Sequence, residues 1–554
     1  MSFTHFEDLS NEIFFEIFDY IEYNELCNAF LNLNNRFQNL LNHSFLRLKL
    51  NVGHQPESAV QQYYTQFIIP NKHRIVSLYL HDHLDIINHV SSHNIDSSFS
   101  RVQSLILDQV QCRELISIFP ILTSLPRLLS ITINLIDNTI DLTEIYRLTF
   151  LLPFLKKIEL SSKRNSLLIS LPINTYEHYS YIKHLIIKHV CHLKELIVLV
   201  SYTPLLTHLT CLELSNRHQE IQSIQSIMTL NLTSMTLNTC YLQFNEFEIF
   251  IKKICKQLRI LCINKTQDAD YLNATRWEQL ISKHMPYLRI FKLENCEFHY
   301  EPIELMSYHC QLNQFISSFW INRGWFFQIT ADIDYWPPIR ISYSICTDMR
   351  KYYSVYEKTV PIELKLIHLY FAPSRQDLID TTLNLFKNIH ITRLDVDCKK
   401  LSYTKFIQLL YMLPNLNSLG ILSVSSFEVN FLSQQQIESI VLWSKTNQIK
   451  KLIVESFIDE NDFKKIQFFI NLAPQIEYLQ VKCESNFNIE SIVRYILLQT
   501  IDEFLNFNLF CLCVRIANDI MIKQLENMIN QEKLIHDYKI TRSTDRIYLQ
   551  WELK

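Results

Sequence analysis

Glycine is almost missing: Gly53, Gly324 and Gly420 are the only three in 554 residues. Loops that cradle phosphates or dinucleotides need glycine so that backbone N–H groups can approach the ligand. Their absence excludes P-loop and dinucleotide-binding chemistry. It also argues against tight-turned all-β folds, whose hairpins need positive φ. Charge of one sign is lacking too. The formal net charge is −4, which leaves no electrostatic footprint for nucleic acid or an anionic membrane. No apolar run is long enough to span a bilayer. Met1 to Asp8 holds no basic n-region, so no secretory leader is expected, and an intracellular chain, cytoplasmic or nuclear, follows. The 14 cysteines include no Cys-x-x-Cys pair and read as reduced, buried thiols.

Catalytic patterns are missing as well. There is no Gly-x-Ser-x-Gly, no His-Glu-x-x-His and no kinase signature. His81-Asp82-His83 and the pair His89/His93 approach metal spacing, but no further ligand stands near them, and they read as solvated surface. Cys511 and Cys513, two apart on an expected strand, share one face without other ligands. His178, His184, His189 and His192 straddle a strand and its flanks and are expected not to converge. No catalytic, cofactor-binding or metal residue is nominated.

What is present is apolar periodicity. In the first 50 residues Leu9, Ile13, Ile17 and Ile21 recur every four positions, with Phe14 and Phe18 beside them. This predicts a helix with a broad apolar face, and Ser10 can cap its start. Leu26, Ala29, Phe30 and Leu33 form a second stripe; Phe37, Leu40, Leu41 and Leu48 form a third. Three short helices cannot bury that much apolar surface among themselves. Either the rest of the chain covers it, making the helices an N-terminal cap, or a second protein does.

The pattern Leu9, Glu12, Ile13, Phe14, Ile17, Phe18, Tyr20, Ile21, Leu26 resembles the F-box, a helical module that docks a protein onto a ubiquitin-ligase scaffold. Ser10 stands where that family has Pro, and Phe37 stands near its usual Trp. The resemblance implies that the face around Leu9, Ser10, Ile13, Ile17, Leu26 and Phe30 binds a small SKP-type adaptor, itself held by a cullin scaffold.

From residue 75 the pattern apolar-x-x-apolar-x-apolar returns, first as Ile75/Leu78/Leu80, Val102/Leu105/Leu107, Leu128/Ile131/Ile133, Leu155/Ile158/Leu160 and Ile182/Leu185/Ile187. It continues as Leu209/Leu212/Leu214, Leu232/Met235/Leu237, Leu258/Leu261/Ile263 and Leu288/Phe291/Leu293. Successive first positions differ by 27, 26, 27, 27, 27, 23, 26 and 30. Such a period is a solenoid signature. It resumes with Leu364/Ile367/Leu369, Ile391/Leu394/Val396, Leu416/Leu419/Ile421, Ile449/Leu452/Val454, Ile476/Leu479/Val481 and Leu509/Leu512/Val514. Helical stretches intervene, such as Gln243–Cys255, Arg276–His284 and Asp462–Leu472, and Pro126, Pro153, Pro286, Pro414 and Pro474 each precede a strand by two residues.

This is similar to the leucine-rich repeat, with Cys240 and Cys296 at its Asn/Cys position. The competing fold, a doubly wound α/β enzyme, lacks its Gly-rich strand-to-helix turns here. The expected class is therefore α/β: a short all-α F-box, then a leucine-rich-repeat solenoid of parallel strands alternating with helices. The expected organisation is 1–50 helical module, 51–74 linker or imperfect first repeat, 75–312 repeats, 313–363 aromatic-rich insertion, 364–516 repeats and 517–554 C-terminal cap. The insertion, with Phe315, Trp320, Trp325, Phe327 and Tyr343 among its rings, reads either as a binding platform or as a satellite core.

The function implied by these resemblances is that of a non-catalytic substrate-recognition subunit of an SCF-type cullin-RING ubiquitin ligase. Its repeats would hold an unidentified target protein, with no nucleic acid, membrane or cofactor involved. Three rivals stand beside it: a repeat scaffold with a degenerate F-box, an F-box protein acting with the adaptor alone, and an enzyme with a pocket around 313–363.

Overall fold

The computed structural model describes residues 6–52, 62, 64–81, 97–136, 141–163, 168–172, 179–216, 231–266, 268–299, 315, 317–332, 339–346, 362–367, 391–397, 403–423, 447–455, 463–482, 489–501, 511–515, 519–535, 538–543 and 546–551. The chain divides into two compact units, Met1–Asp268 with Gln279–Ile290, and Ala269–Glu278 with Phe291–Lys554.

The first unit opens with three helices, α1 (Asn11–Phe18), α2 (Tyr23–Phe30) and α3 (Asn35–Asn42). Phe14, Phe18, Tyr23, Leu26, Phe37, Leu40 and Leu41 are buried between them and the strands that follow. Asn34 caps α3 by accepting from the Phe37 amide at 3.1 Å. Ser10 occupies the equivalent place before α1, yet its side chain makes no cap hydrogen bond. It bonds instead to the Glu12 carboxylate, which holds that group below its usual range.

Nine strands of this unit then build a growing parallel sheet, with helices between them. The strands are β1 (Leu48–Asn51), β2 (Ile75–His81), β3 (Ser104–Val110), β4 (Ser130–Leu135), β5 (Lys157–Ser162), β6 (His184–His192), β7 (His208–Ser215), β8 (Ser234–Cys240) and β9 (Ile260–Thr266). Each pairs parallel with the next. Helices α4 (Cys112–Thr123), α5 (Thr143–Phe150), α6 (Leu193–Ser201) and α7 (Phe244–Ile254) lie between strands. This is an α/β, solenoid-like repeat.

The register explains the period. Leu78, Leu105, Ile131, Ile158, Leu185, Leu209, Met235 and Leu261 form one ladder across β2 to β9. Leu80, Leu107, Ile133, Leu160, Ile187, Cys211, Leu237 and Ile263 form the next. All are buried. Side chains alternate across a strand, so the residues between the ladders face away from the helices.

The ladders correct three expectations. Leu48 belongs to β1 and pairs with Ile75, not to a third helical stripe. In the sixth repeat the ladder residues are Leu209 and Cys211, with buried Leu206 ahead of them, so the motif begins three residues earlier than Leu-x-x-Leu-x-Leu matching places it. Leu212, taken as a core position, is 42% exposed. In the second unit Leu364 pairs with Leu394 and Leu366 with Val396, a second shift of three; Leu369 lies outside the described residues.

The second unit departs from a purely parallel array. The strands β10 (Ile290–His299), β11 (Phe326–Asp332), β12 (Ile339–Cys346) and β13 (Ile362–Ile367) follow in the chain. They pair in the order β10, β12, β11, β13, with β12 antiparallel to both its neighbours. The aromatic stretch thus supplies strands, and five of its six described rings are buried, Phe319 being half-buried. Phe291 packs on Trp320 and Trp325 at 6.1 and 5.6 Å, and Phe315 stacks on Phe327 at 4.7 Å. Trp320, Trp325, Phe315, Phe327 and Tyr343 are all buried, which is the satellite-core arrangement.

Parallel pairing then runs through β14 (Ile391–Asp397), β15 (Ser418–Ser423), β16 (Lys451–Val454), β17 (Tyr478–Lys482) and β18 (Cys511–Arg515). After helix α8 (Asp519–Glu532), β19 (Tyr538–Ser543) and β20 (Arg546–Trp551) form a hairpin, and β20 lies antiparallel on β18. On β14, Arg393 and Asp395 form a buried ion pair at 3.2 Å. Gly420 on β15 makes room for it, because a Cβ there would sit 1.9 Å from Asp395 Oδ1. Among the described residues no helix is long and apolar enough to cross a membrane.

Candidate protein-binding surfaces

The N-terminal helices use their sides differently. Residues one apart on a helix are rotated by about 100°. Phe14 and Phe18 turn inward, while Ile13 and Ile17 form a parallel stripe displaced by that angle, with Ile13 43% exposed and Ile17 half-buried. Leu9 and Phe30 are half-buried and Ser10 is exposed. Leu26, expected on the docking face, is 1% exposed and supports the module from within. Phe6, Tyr20, Leu31, Leu33 and Phe45 are exposed as well. Of the twenty exposed large apolar side chains among the described residues, six (Ile13 and these five) lie in this short segment, a concentration along the chain that isolated surface apolar residues do not show.

The start of α1 is held by a residue the sequence did not flag. Arg36 on α3 donates to the Leu9 carbonyl at 2.6 Å, to the Glu7 carbonyl, and to Asn11 Oδ1 at 2.9 and 3.0 Å. Its guanidinium lies 5.1 Å from the centre of the Phe14 ring. One planar fork therefore fixes the segment carrying Leu9 and Ser10. In sequence Arg36 is an ordinary charged helix residue, and only its partners, 25 to 29 positions away, reveal it.

A separate side of the module seals the sheet. Arg74 Nη2 donates to the carbonyls of Leu41 and His43, both at 2.9 Å. Asn24 reaches the Asn51 carbonyl at 3.2 Å, Lys49 reaches the Asp19 carbonyl, and Tyr23 stacks on Phe67.

The strand face away from the helices carries polar groups in rows. Asp108 accepts from Tyr79 at 2.7 Å and Asn134 at 2.8 Å, with His81 at 3.5 Å. Burial opposes its ionisation, but these partners hold its carboxyl below the usual range. Burial and the bond to Asp108 push the Tyr79 hydroxyl up to about 12. His81 is thus engaged rather than merely solvated; Asp82, His83, His89 and His93 lie outside the described residues.

The expected histidine group does not converge. His184 stacks on His208 at 4.3 Å. His192 bonds Ser215 at 2.8 Å. His189 is buried against Tyr146, its Nε2 2.7 Å from the hydroxyl. An extra residue in β6 between Ile187 and Val190 turns His189 inward. Among the described residues no group of three His, Cys, Asp or Glu could hold a metal. His178 lies outside the described residues, and of Cys511 only the backbone is described.

No protein-family model matches the chain, and no curated protein matches it. Among solved structures, one described as the crystal structure of the Rad7 and Elc1 complex in yeast aligns with 87% of this chain and 94% of that chain, at 12% identity and a TM-score of 0.22. A superposition that loose carries no argument about fold or function. What the coordinates define is the class: an α/β solenoid-like repeat whose first strands are sealed by a helical module with an open apolar side.

Proposed function

We propose that this chain is the substrate-recognition subunit of an SCF-type ubiquitin ligase. The open side of the N-terminal module, with Leu9, Ser10, Ile13, Ile17 and Phe30, docks an SKP-type adaptor held on a cullin scaffold. The repeats hold a target protein. Ubiquitin transfer belongs to a separate conjugating enzyme, and this chain contributes proximity, by raising the effective concentration of target lysines.

The observation that carries the reading is the Ile13/Ile17 stripe, at least partly open, on a helix whose neighbouring stripe, Phe14 and Phe18, is already packed. It coincides with the residues that resemble the F-box. The test is a pull-down of the full chain with purified SKP-type adaptor, beside Ile13→Asp/Ile17→Asp. Both positions are at least partly open, so the variant keeps its fold and loses the adaptor. An intact chain that ignores the adaptor sinks the ligase reading.

One feature favours a second reading, a repeat scaffold with a degenerate F-box. Ser10 replaces the family's Pro, and its hydroxyl is occupied by Glu12. In that case the module seals the sheet through Arg74, Lys49 and Asn24 and recruits no ligase.

A further inference from the structure

Each repeat of the first unit starts its strand in one way. A backbone carbonyl accepts two successive amides from the next repeat: Gln103 from Leu129 and Ser130, Leu129 from Lys156 and Lys157, Lys156 from Lys183 and His184, Lys183 from Thr207 and His208. The same bonds continue through Thr233, Arg259 and Arg289. This ladder places equivalent residues in straight rows across eight repeats.

The rows have a chemistry that the sequence reading missed. The doubly bonded position and its neighbours one after and two before hold Arg101, Arg127, Lys156, Lys157, Lys183, Arg259 and Arg289. They also hold His184 and His208, and no Asp or Glu at all. In a chain of net charge −4 this is a local concentration of positive charge. In three consecutive repeats the position two before the ladder is apolar and exposed: Phe154, Tyr181 and Leu205. One carboxylate close by, Glu159, is paired with Lys188 at 2.5 Å and Lys157 at 3.7 Å. The stacked His184 and His208 rings sit beside Lys157 and Lys183, and their mutual charge, after burial, holds His184 below its usual range.

We infer that this row is a docking strip for an extended acidic protein segment that carries apolar or aromatic side chains. Lys156 and Lys183 face its carboxylates, and Phe154, Tyr181 and Leu205 receive its apolar groups. Strands lie about 4.8 Å apart, so eight rows span about 34 Å, the length of roughly ten extended residues. A nucleic acid strand fits less well. Its phosphates need an unbroken line of cations, whereas the centre of this strip is apolar, and Leu205 offers no ring for a base. The inference rests on reading the repeats as the target-holding surface, and it is independent of adaptor docking by the helices.

The experiment is fluorescence anisotropy with the full chain and a labelled synthetic peptide of about ten residues, alternating Glu with Leu and Tyr. Lys156→Glu/Lys183→Glu and Phe154→Ser/Tyr181→Ser, all at exposed positions, should each weaken binding by roughly tenfold or more. Lys194→Glu, on α6, should leave it unchanged. No binding by the parent chain overturns the inference, as does equal weakening by Lys194→Glu. Tighter binding of an oligothymidylate of the same length overturns the peptide assignment in favour of nucleic acid. None of these outcomes touches the adaptor pull-down, so the two readings fail separately.

Discussion

Replacing His189 with Gln should remove an acid sensitivity built into the first unit. The Val190 carbonyl can only accept, so His189 Nδ1, 2.8 Å away, carries the proton. Nε2 then accepts from Tyr146 at 2.7 Å. Burial lowers the pKa from 6.5 to about 4, only partly offset by the Val190 bond. Protonating the ring would mean burying a charge and turning the Tyr146 hydroxyl round. In the unfolded chain the same ring titrates near 6.5. Between about pH 6.5 and 4 the unfolded state therefore binds a proton that the folded state refuses. Stability from this residue is complete above that window and falls as pH drops through it, levelling off below about 4. A shift of that size corresponds to about 3 kcal/mol.

The assay compares parent and His189→Gln by hydrogen exchange of β6 and α5, and by urea unfolding, from acid to neutral pH. The difference between the two proteins should be constant above neutrality. It should move against the parent by about 3 kcal/mol on the way to pH 4. A difference that does not vary with pH refutes the assignment of a neutral, buried His189.

Two other perturbations test the fold where it departs from simple patterning. Gly420→Ala places a Cβ against Asp395 Oδ1 and drives that carboxylate off Arg393; losing a buried pair costs about 3–5 kcal/mol, so the melting temperature of the second unit should fall clearly, and an unchanged melt refutes the packing. Arg36→Ala removes the charged donor from the Leu9 and Glu7 carbonyls, at a cost of about 1.5–3 kcal/mol; exchange of the Asn11 to Phe14 amides should quicken while the β2 to β5 amides stay protected.

The repeat was legible because its inner ladders must be apolar at fixed offsets. It misled where an outward residue imitates the motif. In the stretch Leu206 to Leu214, leucine at 212 makes a better match than cysteine at 211, but register and burial choose Cys211. The segment 313–363 was legible as aromatic, and Ile339 to Ile345 alternates as a strand does, but its pairing was not legible. Its strands pair out of chain order, Leu293 with Ile345 and Phe327 with Ile345, and local periodicity carries no trace of non-local antiparallel pairing. The helical module was legible as three apolar stripes, but not which stripe faces in. At the start of the module the four-residue spacing of Leu9, Ile13 and Ile17 is as good a core pattern as Phe14 and Phe18. The larger rings took the interior.

That choice bears on whether the module is a cap or a docking element. Sealing the sheet requires the side that bonds Arg74, Asn51 and Lys49, and those contacts use backbone carbonyls at helix ends and short side chains. None of them involves Ile13, Tyr20, Leu33 or Phe45. Isolated apolar residues on a surface need no explanation, but Tyr20 at 87% and Phe45 at 72% exposure stand with four others on one short segment. Capping therefore does not account for the open face, and docking does not account for the sealed one. On the proposed reading, capping and docking would use different sides of the same three helices. For this reason Ile13→Asp/Ile17→Asp should leave the melting temperature of the chain unchanged while adaptor capture is lost. A variant that melts early would mean that this stripe belongs to the core, and the docking face would have to be sought elsewhere.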